Sequence, residues 1–453
     1  MLNRRGFLTG SAALVSSAAV AQPLSGFETA SMRGGIDATE FGVHPGAIDD
    51  QSRVFEKMLA KAAATDTPVF LPAGTYVVSN LKLPARVRLS GVPAATRIVY
   101  GGDGHLFLAE DAELIEFSGL VIDGSNRWLG DHAQAIVDLR RVRDLTIDRC
   151  TILGAGKSAI ALERVGGRIE RTTISGALDY GIYSVEAKGL TIRDNTVTDC
   201  GNGGILVHRW QKAEDGTIVT GNRVERILAR NGGTGQFGNG INLFRADNVL
   251  VSDNAVTDCA FSAIRANSAS NARITGNSCL RSGETGLYVE FSFEGAIISA
   301  NIVDGAANGI SMVNFNEGGR MAVCSGNIVR NLSTRGPYEA DAPGFGVGIN
   351  AEAECALTGN VIENAPLYGL HLGWGPYLRN VIASGNVIRT ARTGIAVSVV
   401  EGVGSAVISD NIIDGAQAGA IVGYRWVDAV TGDLAHDGAA LYPGLTVERN
   451  RVS

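Results

Sequence analysis

Between about residue 140 and the end of the chain, short alternating apolar stretches recur with one polar residue at a fixed place. Compare "LTIRDNTVTDCGNGGILV", "VLVSDNAVTDCAFSAIRA", "ARITGNSCLRSGETGLYV", "CALTGNVIENAPLYGLHL" and "AVISDNIIDGAQAGAIVG". Each unit is a two-period strand, a turn carrying Asn, a few residues, then Gly or Ala before Ile or Leu and a second strand. The Asn falls at 195, 222, 254, 277, 301, 327, 360, 386, 411 and 450, a basal period near 24 residues with three insertions. Such a period predicts a solenoid of short parallel strands. One coil would turn Leu190, Ile192, Asn195, Val197, Ile205 and Val207 inward. Each aliphatic side chain so buried contributes roughly 1.5–3 kcal/mol. Identical inward amides, stacked at about 4.8 Å, would hydrogen-bond along the column and are structural.

A different period appears once. Val54, Phe55, Met58, Leu59 and Ala62 share a helical face, so the sequence predicts a helix over about 50–64 with Asp49 or Asp50 as its N-cap. That face would close the open end of the solenoid. With 59 Gly against 14 Phe and 4 Trp, the composition fits many tight turns. Cys279, Cys324 and Cys355 lie at unequal offsets from their coils' Asn, and the six cysteines read as core thiols.

The formal charge is −7, without a basic block, which argues against nucleic acid as a partner. No segment after residue 21 is apolar for long enough to span a bilayer. The first 21 residues read as an export signal: Arg4 and Arg5, then Phe7 and Leu8, an apolar run, and Ala19-Val20-Ala21 before Gln22. The arginine pair resembles twin-arginine (Tat) signals. The organisation expected is therefore a signal at 1–21, an N-terminal cap with first strands at 22–100, and repeats at 101–453. The protein would be periplasmic or secreted, with the Tat machinery as a partner.

The segment "EFGVHPGAIDDQSRVFEKMLAKAAATDTPVFLPAGTYVV" resembles the entry segment of the pectin-lyase-like superfamily: an F-G…D-D block, a short helix, then L-P-x-G-x-Y. With the Tat-like start, the whole chain looks like twin-arginine-translocated repeat proteins of β-helix type. The resemblance implies an all-β fold, a right-handed parallel β-helix of about a dozen coils. It implies no reaction, because the W-I-D-H segment of calcium-dependent pectate lyases and the N-T-D, G-D-D, G-H-G and R-I-K set of polygalacturonases are both missing.

Candidate chemistry comes from register. In the strand after each Gly-Ile or Ala-Ile step, the outward residues become polar and aromatic between His208 and His371. In "TGLYVEFSFEG", Leu287 and Val289 face inward while Tyr288 and Glu290 face out. The insertions "ARNGGTGQFGN", "STRGPYEADAPGF" and "HRWQKAEDG" lie beside this patch and would wall a groove. The expected catalytic residues are Tyr288, Glu290, Glu352, His371 and Arg265. The expected substrate contacts are His208, Trp210, Asn242, Asn267, Asn314, Asn316, Asn350 and Trp374, suiting a polysaccharide.

Two mechanisms fit that set. In a lyase, Tyr288 or His371 moves the proton while Arg265 pairs with a uronate carboxylate. In a hydrolase, Glu290 and Glu352, two coils and about 9.6 Å apart, are the two carboxylates. No metal site is assigned. Calcium stays open as a cofactor, with Glu290, Asn314 and Glu317 as its ligands. A glycan-binding or envelope scaffold without catalysis is the alternative. At the C-terminal coil, either residues 425–444 fold over the open edge or subunits self-associate there.

Overall fold

A computed structural model describes residues 34–233 and 235–453. The expected signal segment lies outside the described residues. The remainder is a parallel β-helix whose coils each contribute three short strands. One sheet stacks sixteen strands, from Ile36–Asp37 to Leu445–Glu448. The other two strands of each coil, such as Thr196–Thr198 and Gly203–Glu214, belong to the second stack. Coils also form between residues 36 and 123, ahead of the first Asn of the repeat.

The repeat sets the register. Leu190, Ile192, Val197, Ile205 and Val207 are all buried, as the alternation predicts. Each Asn of the column lies at an inward turn, and every one is preceded by a residue with positive φ. Asp194, Gly221, Asp253, Gly276, Gly326, Gly359, Gly385 and Asp410 hold that place, with Ala300 and Arg449 as the costlier occupants. Gly and Asp recur there because the left-handed conformation burdens other side chains.

From Asn195 to Asn450 the amides form one continuous ladder. Asn277 Nδ2 donates to Asn301 Oδ1 at 3.0 Å, and Asn301 Nδ2 donates to Asn327 Oδ1 at 3.0 Å. Asn301 Nδ2 also donates to Ile274 O at 2.9 Å, and its Oδ1 accepts from Asn277 N at 2.9 Å. At the N-terminal end Thr172 takes the place of Asn: its N donates to Asn195 Oδ1, and its Oγ1 accepts from Cys150 N. All six thiols are unpaired and buried.

The helix spans Ser52–Ala64 and buries Phe55, Met58, Leu59 and Ala62. Its N-cap is Gln51, which makes no side-chain cap bond, rather than Asp49 or Asp50. Asp50 acts one residue early, its Oδ1 accepting from Ser52 N at 2.7 Å. At the other end, Asp428–Asp433 pairs antiparallel with Ile421–Arg425, and Leu434 packs into the core behind it. Part of residues 425–444 therefore covers that strand, while Arg451–Val452 stays exposed.

Removing one amide from the ladder strands several buried partners at once. Asn301→Ala should destabilise the protein by about 2–5 kcal/mol, whereas Asn450→Ala, at the partly buried end, should cost about 1 kcal/mol. Chemical denaturation of the two variants checks the contrast.

Candidate functional site

The outward face is built from two columns. Tyr183, Leu206, Asn242, Arg265, Tyr288, Ser311, Asn350 and His371 are partners in successive strands. Val185, His208, Phe244, Asn267 and Glu290 form the second column. This is the register expected from the Gly-Ile steps. Which neighbours then bind one another divides the face into separate places.

A cleft of about 300 Å³ lies over the coils from Tyr288 to His371. Tyr288, Asn314, Asn350, Glu352, His371 and Trp374 line it together. The insertion before the Val347–Ala351 strand forms one wall, with Tyr338, Asp341, Pro343 and Phe345. Tyr338 is held there by stacking on Phe261, and its hydroxyl donates to Glu284 Oε1 at 2.6 Å. Glu284 Oε2 accepts from Ser262 Oγ at 2.8 Å, so this buried carboxylate anchors the wall.

Inside the cleft, three groups have defined protonation chemistry. Asn350 Nδ2 donates to Ser311 Oγ at 3.1 Å, which leaves its Oδ1, 2.9 Å from His371 Nδ1, to accept from the imidazole. That assigns the proton to Nδ1 and the lone pair to Nε2. Burial lowers the His371 pKa to about 4, so the ring is neutral. Glu352 Oε2 accepts from Phe315 N at 2.6 Å, but burial outweighs that bond and pushes the carboxyl up to about 7. Burial also raises the Tyr288 phenol well above 10, with Glu290 and Glu284 adding to the effect. At neutral pH the cleft therefore presents a phenol, a neutral imidazole and a half-protonated carboxyl.

Arg265 and Glu290 do not act as the sequence suggests. The guanidinium reaches diagonally across the register: Arg265 Nε donates to Glu290 Oε1 at 2.5 Å, Nη2 pairs with the same oxygen, and Nη1 donates to Gly235 O. Asn267 Nδ2 also donates to Glu290 Oε1, at 3.0 Å. Arg265 is 9% exposed and Glu290 2%, and neither lines the cleft. Burial raises Glu290 while Arg265 pulls the other way. The pair supports the Tyr288 strand, with the guanidinium 5.8 Å from the Tyr288 ring centroid. Glu290 and Glu352 are thus not a pair of carboxylates facing one cleft.

The remaining expected contacts are scattered. His208 packs between the Tyr183 and Phe244 rings, and its Nε2 is buried without a hydrogen-bond partner. Asn242 is buried beside Arg265, and Asn316 lies on the surface with Nδ2 3.3 Å from Glu317 Oε1. Trp210 lines a separate hollow. The calcium set does not assemble either: Asn314 Oδ1 accepts from Phe291 N, and Glu290 is taken by Arg265. Among the described residues no three His, Cys, Asp or Glu side chains gather as ion ligands. Sequence reasoning missed Glu284, Tyr338 and Asp341. The insertion marked the wall, but nothing in its pattern says which residues turn inward.

Leaving Glu290 buried without its cation should cost about 3–5 kcal/mol in Arg265→Leu. The double variant Arg265→Leu/Glu290→Leu should recover most of that loss on denaturation. A second expectation follows from Glu352, whose folded-state pKa of about 7 lies above its ordinary 4.5. The folded protein keeps a proton that the unfolded chain releases, so this group's stability is full below about 4.5 and is lost as pH rises through about 7. Glu352→Gln should match the wild type near pH 4 and exceed it at pH 8, by up to about 3 kcal/mol, in melting curves at both pH values.

Two family models match the chain. Residues 210–378 match the right handed beta helix region, and residues 35–265 match the rhamnogalacturonase A/epimerase, pectate lyase-like family. Among solved structures, the pre-mature bacteriophage phi29 gene product 12 is 15% identical, with a TM-score of 0.54, over 85% of this chain and 69% of that one. The Azotobacter vinelandii mannuronan C-5 epimerase AlgE6 A-module is 14% identical over 92% of this chain and 99% of that one, at a TM-score of 0.45. The catalytic unit of GH87 alpha-1,3-glucanase from Streptomyces thermodiastaticus is 15% identical over 96% and 70%, at 0.47. No curated protein matches the chain. The likeness to the phage protein, with the right handed beta helix match, establishes the fold alone, a right-handed parallel β-helix. By the match that spans half of its length, the chain belongs to the rhamnogalacturonase A/epimerase, pectate lyase-like family.

Proposed function

We propose that the protein acts on a polysaccharide, and that the cleft between Tyr288 and Trp374 hydrolyses a glycosidic bond. The observation that carries the reading is Glu352, a buried carboxyl with a pKa of about 7 in an open, aromatic-walled cleft. A group so tuned can hold a proton at neutral pH and still give it up. The match to the rhamnogalacturonase A/epimerase, pectate lyase-like family supports a glycan substrate.

Each group then has a role. Trp374 offers a ring on which a sugar stacks, and its own edge contact with Trp426 holds it in place. Glu352 gives its proton to the glycosidic oxygen as the bond from that oxygen to the anomeric carbon breaks. The Asp341 carboxylate, on the insertion that walls the cleft, takes a proton from water as the water oxygen bonds to the anomeric carbon. Glu352 leaves the cycle ionised and Asp341 protonated, and solvent exchange restores both. His371 and Asn350, fixed to each other, bind hydroxyls, as does Tyr288.

Hydrolysis is favoured over elimination by charge. Proton abstraction beside a uronate carboxylate asks for a cation to hold the enolate-like charge. No Lys or Arg lines this cleft among the described residues, and Arg265 is committed to Glu290. We further propose that the protein works outside the cytoplasm, on the strength of the Arg4-Arg5 segment and the Ala19-Val20-Ala21 site. No helix among the described residues is long and apolar enough to cross a membrane.

Incubation with neutral and acidic polysaccharides, with and without Ca²⁺, should yield new reducing ends without ultraviolet absorbance from unsaturated uronates. The rate should fall as pH rises through about 7, because the acid form of Glu352 is the active one. Glu352→Gln should lower it by about 10²–10⁴-fold. Absorbance that survives in Glu352→Gln and disappears in Tyr288→Phe would replace hydrolysis with elimination. Binding without turnover would make the protein a glycan-binding scaffold. For location, mass spectrometry of the exported protein should find Gln22 as its first residue, and an intact Met1 start on that material would sink the export proposal.

A further inference from the structure

Four strand steps toward the N-terminus from Tyr288, at Tyr183, the same face opens into a second hollow of about 430 Å³. Tyr183 and Tyr288, at the facing edges of the two places, are about 19 Å apart along the stack. They are not one trough, because the segment carrying Gly235 is bonded down over Arg265 between them.

The second hollow is a built place. Trp210, half exposed, stands at one side, and Tyr183 contributes to the floor. The Arg164 guanidinium lies 5.0 Å from the indole ring centroid, and the Trp210 main chain is tied down: its backbone N donates to Glu186 Oε1 and its backbone O accepts from Arg245 Nη1. Opposite, Arg140 is locked by Asp138, which is 2% exposed and accepts from Arg140 Nη2 at 2.9 Å and from Gln134 N at 2.9 Å. Arg140 Nη2 also donates to His132 O. A large aromatic ring immobilised in contact with water loses entropy without gaining burial. Facing a fixed polar edge across a hollow, it has the form of a sugar-stacking platform.

The charges in the hollow select the sugar. The carboxylates of Asp131, Asp138 and Glu163 line it with one guanidinium, Arg140, which Asp138 already engages. A uronate would meet like charge there, whereas a neutral pyranose could stack on Trp210 and give hydroxyl protons to the carboxylates. We infer that this hollow is a separate binding site for neutral glycan, holding a polysaccharide chain at a distance from the Glu352 cleft. The identity of the ligand rests on the proposed glycan function; the site itself does not need the cleft to be catalytic.

The test is calorimetric binding of neutral gluco-, manno- and galacto-hexasaccharides, with a hexauronate as control. It uses the Glu352→Gln protein, so that bound glycan survives. At least one neutral series should bind, and Trp210→Ala should weaken it tenfold or more. The effect should persist when Trp374→Ala has removed the platform of the main cleft. Glu163→Ala, at the partly exposed edge of the hollow, should weaken the same ligand, and equal melting temperatures should show that both variants fold. Unchanged affinity in Trp210→Ala, tighter binding of the hexauronate than of every neutral series, or no binding by any neutral series would overturn the inference. Trp210-dependent binding in a protein that never turns over a glycan would sink the hydrolase reading and leave this site standing.

Discussion

The structure depends on one spacing, the strand separation of about 4.8 Å that parallel backbone hydrogen bonds impose on successive coils. Once it is fixed, every side chain lies above its counterpart in the previous coil, and equal residues form columns. An inward amide column can then satisfy itself, each Asn side chain bonding the next, with the strand carbonyls taking the second N–H. Inward aliphatic columns do the same for packing. A fold of this kind needs no long-range design beyond keeping the period, which is why disulfides are dispensable in so large a core.

The same spacing has a cost on the outward face. Charged residues one coil apart are close enough to pair, and a pair that finds itself buried is no longer available to a ligand. Arg265 and Glu290 are the case in point: outward by register, they neutralise each other beneath the Gly235 segment and serve the strand rather than a substrate. Glu352 escapes because its nearest donor is a backbone amide, which leaves a carboxyl strongly perturbed by burial and uncompensated by a cation. Which outward acid is shifted by burial without compensation on this solenoid follows from which one lacks a basic neighbour.

That difference also explains what could be read from the sequence. The coils, the inward column, the capping face of Phe55, Met58, Leu59 and Ala62, and the outward register all follow from periodicity, and the structure has them where the alternation puts them. The fate of each outward residue does not follow from periodicity. His208 was legible as outward, but not as a ring lodged between Tyr183 and Phe244, although both neighbours stand in the same alignment. Tyr338 and Asp341 were invisible for a different reason. They lie in an insertion without a period, and only the tertiary anchor on Glu284 decides which of its residues turn toward the cleft.

Insertions are therefore where this architecture acquires individuality. The coils supply a ruled surface on which any residue's neighbours are predetermined, and such a surface offers width but little depth. Depth comes from segments that leave the register and return: the one carrying Tyr338 beside the Glu352 cleft, the one carrying Gly235 over Arg265, and the extension carrying Trp210. Each is tied down by a polar group of the coils, the buried Glu284 and Arg265 and the partly buried Glu186 respectively. A change of specificity in such a protein then has a short path, through the insertions and their three anchors. The ladder beneath is left untouched.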